Sequence, residues 1–151
     1  AIQIFMQVVD ERKAAGINDP VGREASAVKD DRNRYERGRD VLAEISGTPA
    51  DAPKAGYAVF APTIERFLKE HLFTHFERDL LTCRERELAT VSILAGVSGV
   101  EPMAVGHMSI CLHLGITPEQ LSALLNIVEM NLGKNYSEPL RKVLNQITEK
   151  K

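Results

Sequence analysis

Apolar residues recur along most of this chain at spacings of three and four, the period of helices with one buried face. Ile4, Phe5, Val8 and Val9 keep that period over 1–15, and Gly16 is a stop signal. Residues 16–31 (GINDPVGREASAVKDD) are polar and rich in turn formers, which predicts a linker or irregular arm. A second helix is expected over 32–46, ended by Gly47 and Pro49, with a loop over 48–56 (TPADAPKAG). A third follows over 62–76, with Ile64, Phe67, Leu68, Leu72 and Phe76 on its apolar face and Pro62 in its first turn.

Two capping boxes sharpen the C-terminal half. Thr82 with Glu85 opens a helix over 83–98, apolar on most sides beyond Thr90 and therefore expected to be central. Another helix runs from Pro102 towards Gly115. Thr117 with Gln120, and Pro118 at the first helical position, opens the next, carrying Leu121, Leu124, Leu125, Ile127 and Val128. A last helix is expected over 137–148, with Leu140, Val143, Leu144 and Ile147. No segment shows strand alternation between hairpin turns. The expectation is an all-α fold of about six to seven helices, in which short connections make helices four to six an antiparallel core. Residues 1–31 form an N-terminal helix and linker arm, and 32–151 form the domain proper. The first helix resembles the last in length and apolar spacing. It could be the closing helix of a preceding tandem copy, although amphipathic helices commonly look alike.

Composition narrows the classes. Apolar residues are 44%, charged residues 26% and net charge −2, which fits a soluble globular chain able to bury a core without staples. Charges of both signs are interspersed, so nothing makes a basic face for nucleic acid or a polybasic membrane patch. No apolar run reaches the roughly 18 residues of a membrane span. Cys83 and Cys111 match no zinc or CxxC spacing and read as free thiols of a reducing compartment, so a cytoplasmic location is expected. Residue 1 is not methionine, which leaves a removed leader open. No motif calls for a cofactor.

Residues 66–133 carry a layout with three parts: Leu-x-x-Arg-Glu-Arg-Glu-Leu at 81–88, His107 eight residues before Gly115, and Gly-Ile-Thr-Pro-Glu-Gln-Leu at 115–121. In that order and spacing, the stretch resembles the carboxymuconolactone decarboxylase-like family. The resemblance implies an all-helical homo-oligomer, a trimer or hexamer, that acts on a small molecule. Some relatives decarboxylate a carboxylated lactone, others are alkylhydroperoxidase-like disulfide reductases, and many have no known reaction. The peroxidase branch needs C-x-x-C with a histidine four residues on. Its cysteines fall here on Val100 and Met103, which cannot form a thiolate or a disulfide, so dithiol peroxidase chemistry is not expected. That branch's glutamate falls near Leu88, with Glu87 beside it but rotated by about 100° on a helix.

Decarboxylation leaves an electron-rich carbon that must be protonated, work suited to a histidine. His107 occupies the matching position, and a histidine satisfied by backbone inside a core is the plainer reading of the same residue. A carboxylate such as Glu87 or Glu101 could tune it, and Met103 and Cys111, one turn to either side, would wall it. Cys111 could instead pair with His107 as an activated thiolate, or be a small buried hydrophobe. Arg84 and Arg86 could hold a substrate carboxylate, or be a salt-bridged helix surface. His71 and His75 share a helix face, but no third ligand is evident and no metal is expected. His113 points elsewhere. Three functions stay open: a decarboxylase-like lyase using His107, a thiol-dependent redox enzyme using Cys111 with His107, and a non-catalytic oligomeric module.

Overall fold

A computed structural model describes residues 2–149. Ala1, Lys150 and Lys151, which the expected bounds include, lie outside them. Among the described residues all regular structure is helical. In chain order the helices are α1 (Ile2–Ala14), α2 (Arg34–Ser46), α3 (Tyr57–Phe60), α4 (Pro62–Phe67), a π-helical stretch (Leu68–Phe73), α5 (Thr74–Phe76), α6 (Cys83–Ala95), α7 (Glu101–His113), α8 (Pro118–Leu132) and α9 (Lys134–Thr148).

Local chemistry sets most of these ends. The Asn33 side chain accepts from the Glu36 amide to start α2, and Gly47, at φ +70°, ends it in the left-handed conformation. Thr82 and Thr117 each accept from the amide three residues on, while Glu85 and Gln120 reach back to the cap. The last helix begins three residues earlier than its apolar pattern suggests. Gly133, at φ +100°, is the break after α8, and Pro139 is accommodated inside α9.

The helices bury two adjoining clusters. The larger joins Val91, Leu94 and Ala95 of α6, Ala104, Met108 and Cys111 of α7, Leu121, Leu125 and Val128 of α8, and Leu140, Val143 and Leu144 of α9. α6 packs on α7, α8 on α9 and α7 on α9, whereas α6 meets α8 only lightly. The expected three-helix core is therefore four-helical, because α9 turns a full apolar stripe inward. α6 is also less enclosed than its composition suggests, with Ile93 69% exposed. The smaller cluster places Ile45, Phe73 and Phe76 against Ile110, so α2 and the α4–α5 segment close over the other side of α7.

α2 and the π-helical stretch approach at Gly38. A Cβ there would stand 1.9 Å from the Lys69 carbonyl oxygen, backbone that has no rotamer by which to retreat. The arm before α2 is pinned at one place: Arg23 and Ser26 both bond to Asp79, with Arg23 Nη1 2.9 Å and Ser26 Oγ 2.8 Å from Oδ2. Those bonds, Arg23's first, hold the Asp79 carboxyl well below the usual carboxylate range.

Two glycines test this packing against simple propensity. Gly38→Ala is expected to cost about 1–3 kcal/mol in urea denaturation through overpacking. Gly106→Ala, on α7 with nothing within 4 Å of the added Cβ, is expected to gain up to ~1 kcal/mol from helix propensity. Equal effects at the two positions would refute the close approach.

Candidate functional site

The capping box at Thr82 fixes the start of α6 and so decides which of its residues face inward. The buried stripe is Glu87, Val91, Leu94 and Ala95, at intervals of four, three and one. Glu87 thus holds a core position, 0% exposed, while its neighbour Leu88 is only partly buried. On α7 the corresponding stripe is Ala104, Met108 and Cys111, and His107 sits at its edge. The α6–α7 packing brings His107 Nδ1 to 2.8 Å from Glu87 Oε2, with 15% of the His107 side chain and none of the Glu87 side chain exposed.

This contact orders the imidazole. A carboxylate accepts, so Nδ1 carries the proton and the neutral ring keeps its lone pair on Nε2. Among the described residues Nε2 has no hydrogen-bond partner, and it is not counted with the fully buried unpartnered atoms, so it is not wholly sealed from solvent. The second Glu87 oxygen, Oε1, is buried with no hydrogen-bond partner. Such an orphan is rare, because desolvating a polar atom without compensation costs about 1–3 kcal/mol and more for a charged one. The pair therefore combines a fixed ring, an unpartnered ring nitrogen that is not wholly sealed and an unsatisfied acceptor behind it.

The remaining candidates fall in different places. Cys111, one turn beyond His107, is fully buried, and burial first, then the nearby Glu87, pushes its thiol up to about 12. That environment opposes thiolate chemistry. Met103, one turn before His107, is 55% exposed. Arg86 braces the turn before α6: its guanidinium donates to the carbonyls of Arg78 (3.1 Å) and Leu81 (3.3 Å) and lies over the Phe76 ring. Arg84 is exposed on the first turn of α6. Neither arginine bonds to Glu87 or His107 among the described residues. His113 packs its ring against Gly47. His71 lies beside the Phe67 ring, 4.4 Å between centroids, and His75 is exposed. Among the described residues no group of three or more His, Cys, Asp or Glu gathers as a metal site.

One polar cluster escaped the sequence reading. Glu65 of α4 is 1% exposed and accepts from Tyr35 (3.2 Å), Lys54 (3.2 Å) and Lys69. Burial pulls its carboxyl up, but the two ammonium groups outweigh burial and hold it below the usual range. Glu65 and Lys69 form an ordinary i,i+4 pair, visible in sequence only as a surface ion pair. Lys54 comes from the loop and Tyr35 from α2, partners that no local pattern announces. The loop leaves a cavity of about 350 Å³ over this cluster, lined also by Arg39, Ser46 and Tyr57.

The thiol environment gives a direct check. At pH 8 in the folded protein, Cys111 is expected to react with iodoacetamide at least ~10³-fold more slowly than an ordinary thiol of pKa ≈ 8.5, and at a normal rate in urea. Labelling of folded protein at the free-thiol rate, located at Cys111 by peptide mass, would contradict the burial. No family model, no curated protein and no solved structure matches the chain.

Proposed function

We propose that this chain is a small-molecule lyase of the carboxymuconolactone decarboxylase-like kind, acting on a small carboxylated lactone or related acid and working as a homo-oligomer, a trimer or hexamer. The observation that carries the reading is the Glu87–His107 pair: a fully buried carboxylate fixing a histidine whose other ring nitrogen has no hydrogen-bond partner among the described residues.

The chemistry follows from that geometry. As the bond to the departing carboxylate breaks, CO2 leaves and the electron pair stays on carbon. His107, neutral with its lone pair on Nε2, takes the substrate acid's proton there, and after CO2 leaves it delivers that proton to the carbon and returns to its neutral form. Glu87, bonded at Nδ1, keeps the ring aimed, as an orienting carboxylate does for other catalytic histidines. Arg84 and Arg86 supply no visible anion clamp in one chain, since Arg86 is committed to the 77–82 turn. Met103 offers an apolar wall beside the ring.

A second reading, a non-catalytic oligomeric module, draws on α1, none of whose residues is buried. Activity separates the two. With a panel of carboxylated lactones and related acids, CO2 release is expected from the wild type. His107→Gln is expected to lose about 10²–10⁴-fold in kcat/KM, the range of general acid–base contributions. Gln is chosen because its amide can still donate to Glu87, so size by light scattering and helical content by circular dichroism are expected to be unchanged. A fully active His107→Gln variant would remove His107 from the chemistry, and no release from any member of the panel would favour the module.

A further inference from the structure

We infer that helix α1 is an assembly element that packs onto the body of a second copy of this chain. The inference rests on the oligomer reading above and goes beyond it by naming the segment that makes the contact.

α1 buries none of its residues. Ile2, Ile4, Phe5, Met6, Val8 and Val9 stand between 44% and 77% exposed. Ile2, Phe5, Met6 and Val9, at intervals of three, one and three, line one groove along the helix, the row that a helix presents to a packing partner. Those four expose on the order of 500 Å² of surface, most of the ~800 Å² that each partner contributes to a standard protein interface. Monomers rarely leave more than a few hundred Å² of contiguous apolar surface uncovered. A helix of 13 residues is also marginal in water by itself, so its stability has to come from packing.

The chemistry of α1 separates the possible occupants. A membrane surface would call for a face rich in Lys and Arg. α1 instead places Asp10 and Glu11 beside Arg12 and Lys13, and Arg12 is taken by Asp19 at 2.6 Å. The chain's own body is disfavoured by the tether: the arm is fastened at Asp79 through Arg23 and Ser26, and in that fastened state α1 stands clear of both core clusters. A second copy offers what the helix lacks. The body exposes its own large apolar side chains, among them Ile93 at 69% and Met130 at 84%. Reciprocal exchange between symmetric copies gives and receives one helix per chain, which doubles the buried area.

The test uses the whole chain with benzoylphenylalanine at position 5, as an equal mixture of light and 15N-labelled protein, irradiated and weighed by mass spectrometry. Cross-links joining light to heavy chains are expected. In parallel, Phe5→Glu with Val9→Glu, both at exposed positions that the body does not use, is expected to weaken assembly by at least 10²-fold in light scattering while α2 to α9 keep their melting transition. Cross-links confined to single chains, or a double variant that assembles like the wild type, would overturn the role of α1 and leave the oligomer standing. A wild type that is monomeric at micromolar concentration would overturn the oligomer reading and this inference with it. Capture of the wild type by phosphatidylcholine–phosphatidylserine vesicles, lost in the double variant, would assign α1 to a lipid surface instead.

Discussion

A carboxylate buried between two helices has to be held by something, and here it is held by one imidazole. Glu87 lies on the inward stripe of α6 with its side chain wholly enclosed, and His107 of α7 meets it at 2.8 Å. Removing a carboxylate from water costs several kcal/mol, and an uncompensated one destabilises a fold by about 3–5 kcal/mol. An apolar residue at the same position would pack with Val91 and Leu94 at no such cost. The pair thus fixes the rotation of α6 against α7, and the rest of the larger cluster assembles around that choice.

The second cluster supports the same seam from the opposite side. Ile110, three residues past His107 on α7, packs on Ile45, Phe73 and Phe76. That contact depends on the close approach at Gly38, where α2 lies on the Lys69 backbone. The π-helical stretch occurs at this crossing. Its wider turn shifts the register of the 62–76 helix, which carries Phe73 and Phe76 inward and leaves His71 and His75 at the surface. Arg86 and Asp79 then secure the turn into α6, one through backbone carbonyls and the other through the arm. α7 is therefore held from both sides, with His107 at the α6–α7 seam.

What the sequence revealed was the locally encoded part. Both capping boxes and the break at Gly47 follow from neighbours within four residues and stand in the structure, whereas α6, expected over 83–98, ends at Ala95 with Gly96 as its cap. His107 was legible as a candidate through its position before Gly115. Glu87 was legible only as a residue beside the expected position, because spacing along a helix does not say which face the tertiary contacts will bury. Residues whose partners are distant were the ones misjudged or missed. Arg86 looked available to a substrate and is committed to Arg78 and Leu81. Glu65 was not singled out and is buried beneath Lys54, Lys69 and Tyr35. The π-helical stretch has no signature in the apolar spacing of 62–76. α1 and α9 resemble each other in apolar spacing, yet α9 buries Leu140, Val143 and Leu144 and α1 buries nothing, because spacing alone does not say which helix finds a partner.

The central claim is that Glu87 holds His107 with its proton on Nδ1 and Nε2 free to act. Long-range 1H–15N NMR of the histidine ring tests it directly, at a pH where the ring is neutral. His107 is expected to give a protonated Nδ1 and an unprotonated Nε2, the tautomer free histidine disfavours, and Glu87→Leu is expected to abolish that preference. A wild-type His107 with its proton on Nε2, or a ring signal indifferent to the loss of Glu87, would contradict it.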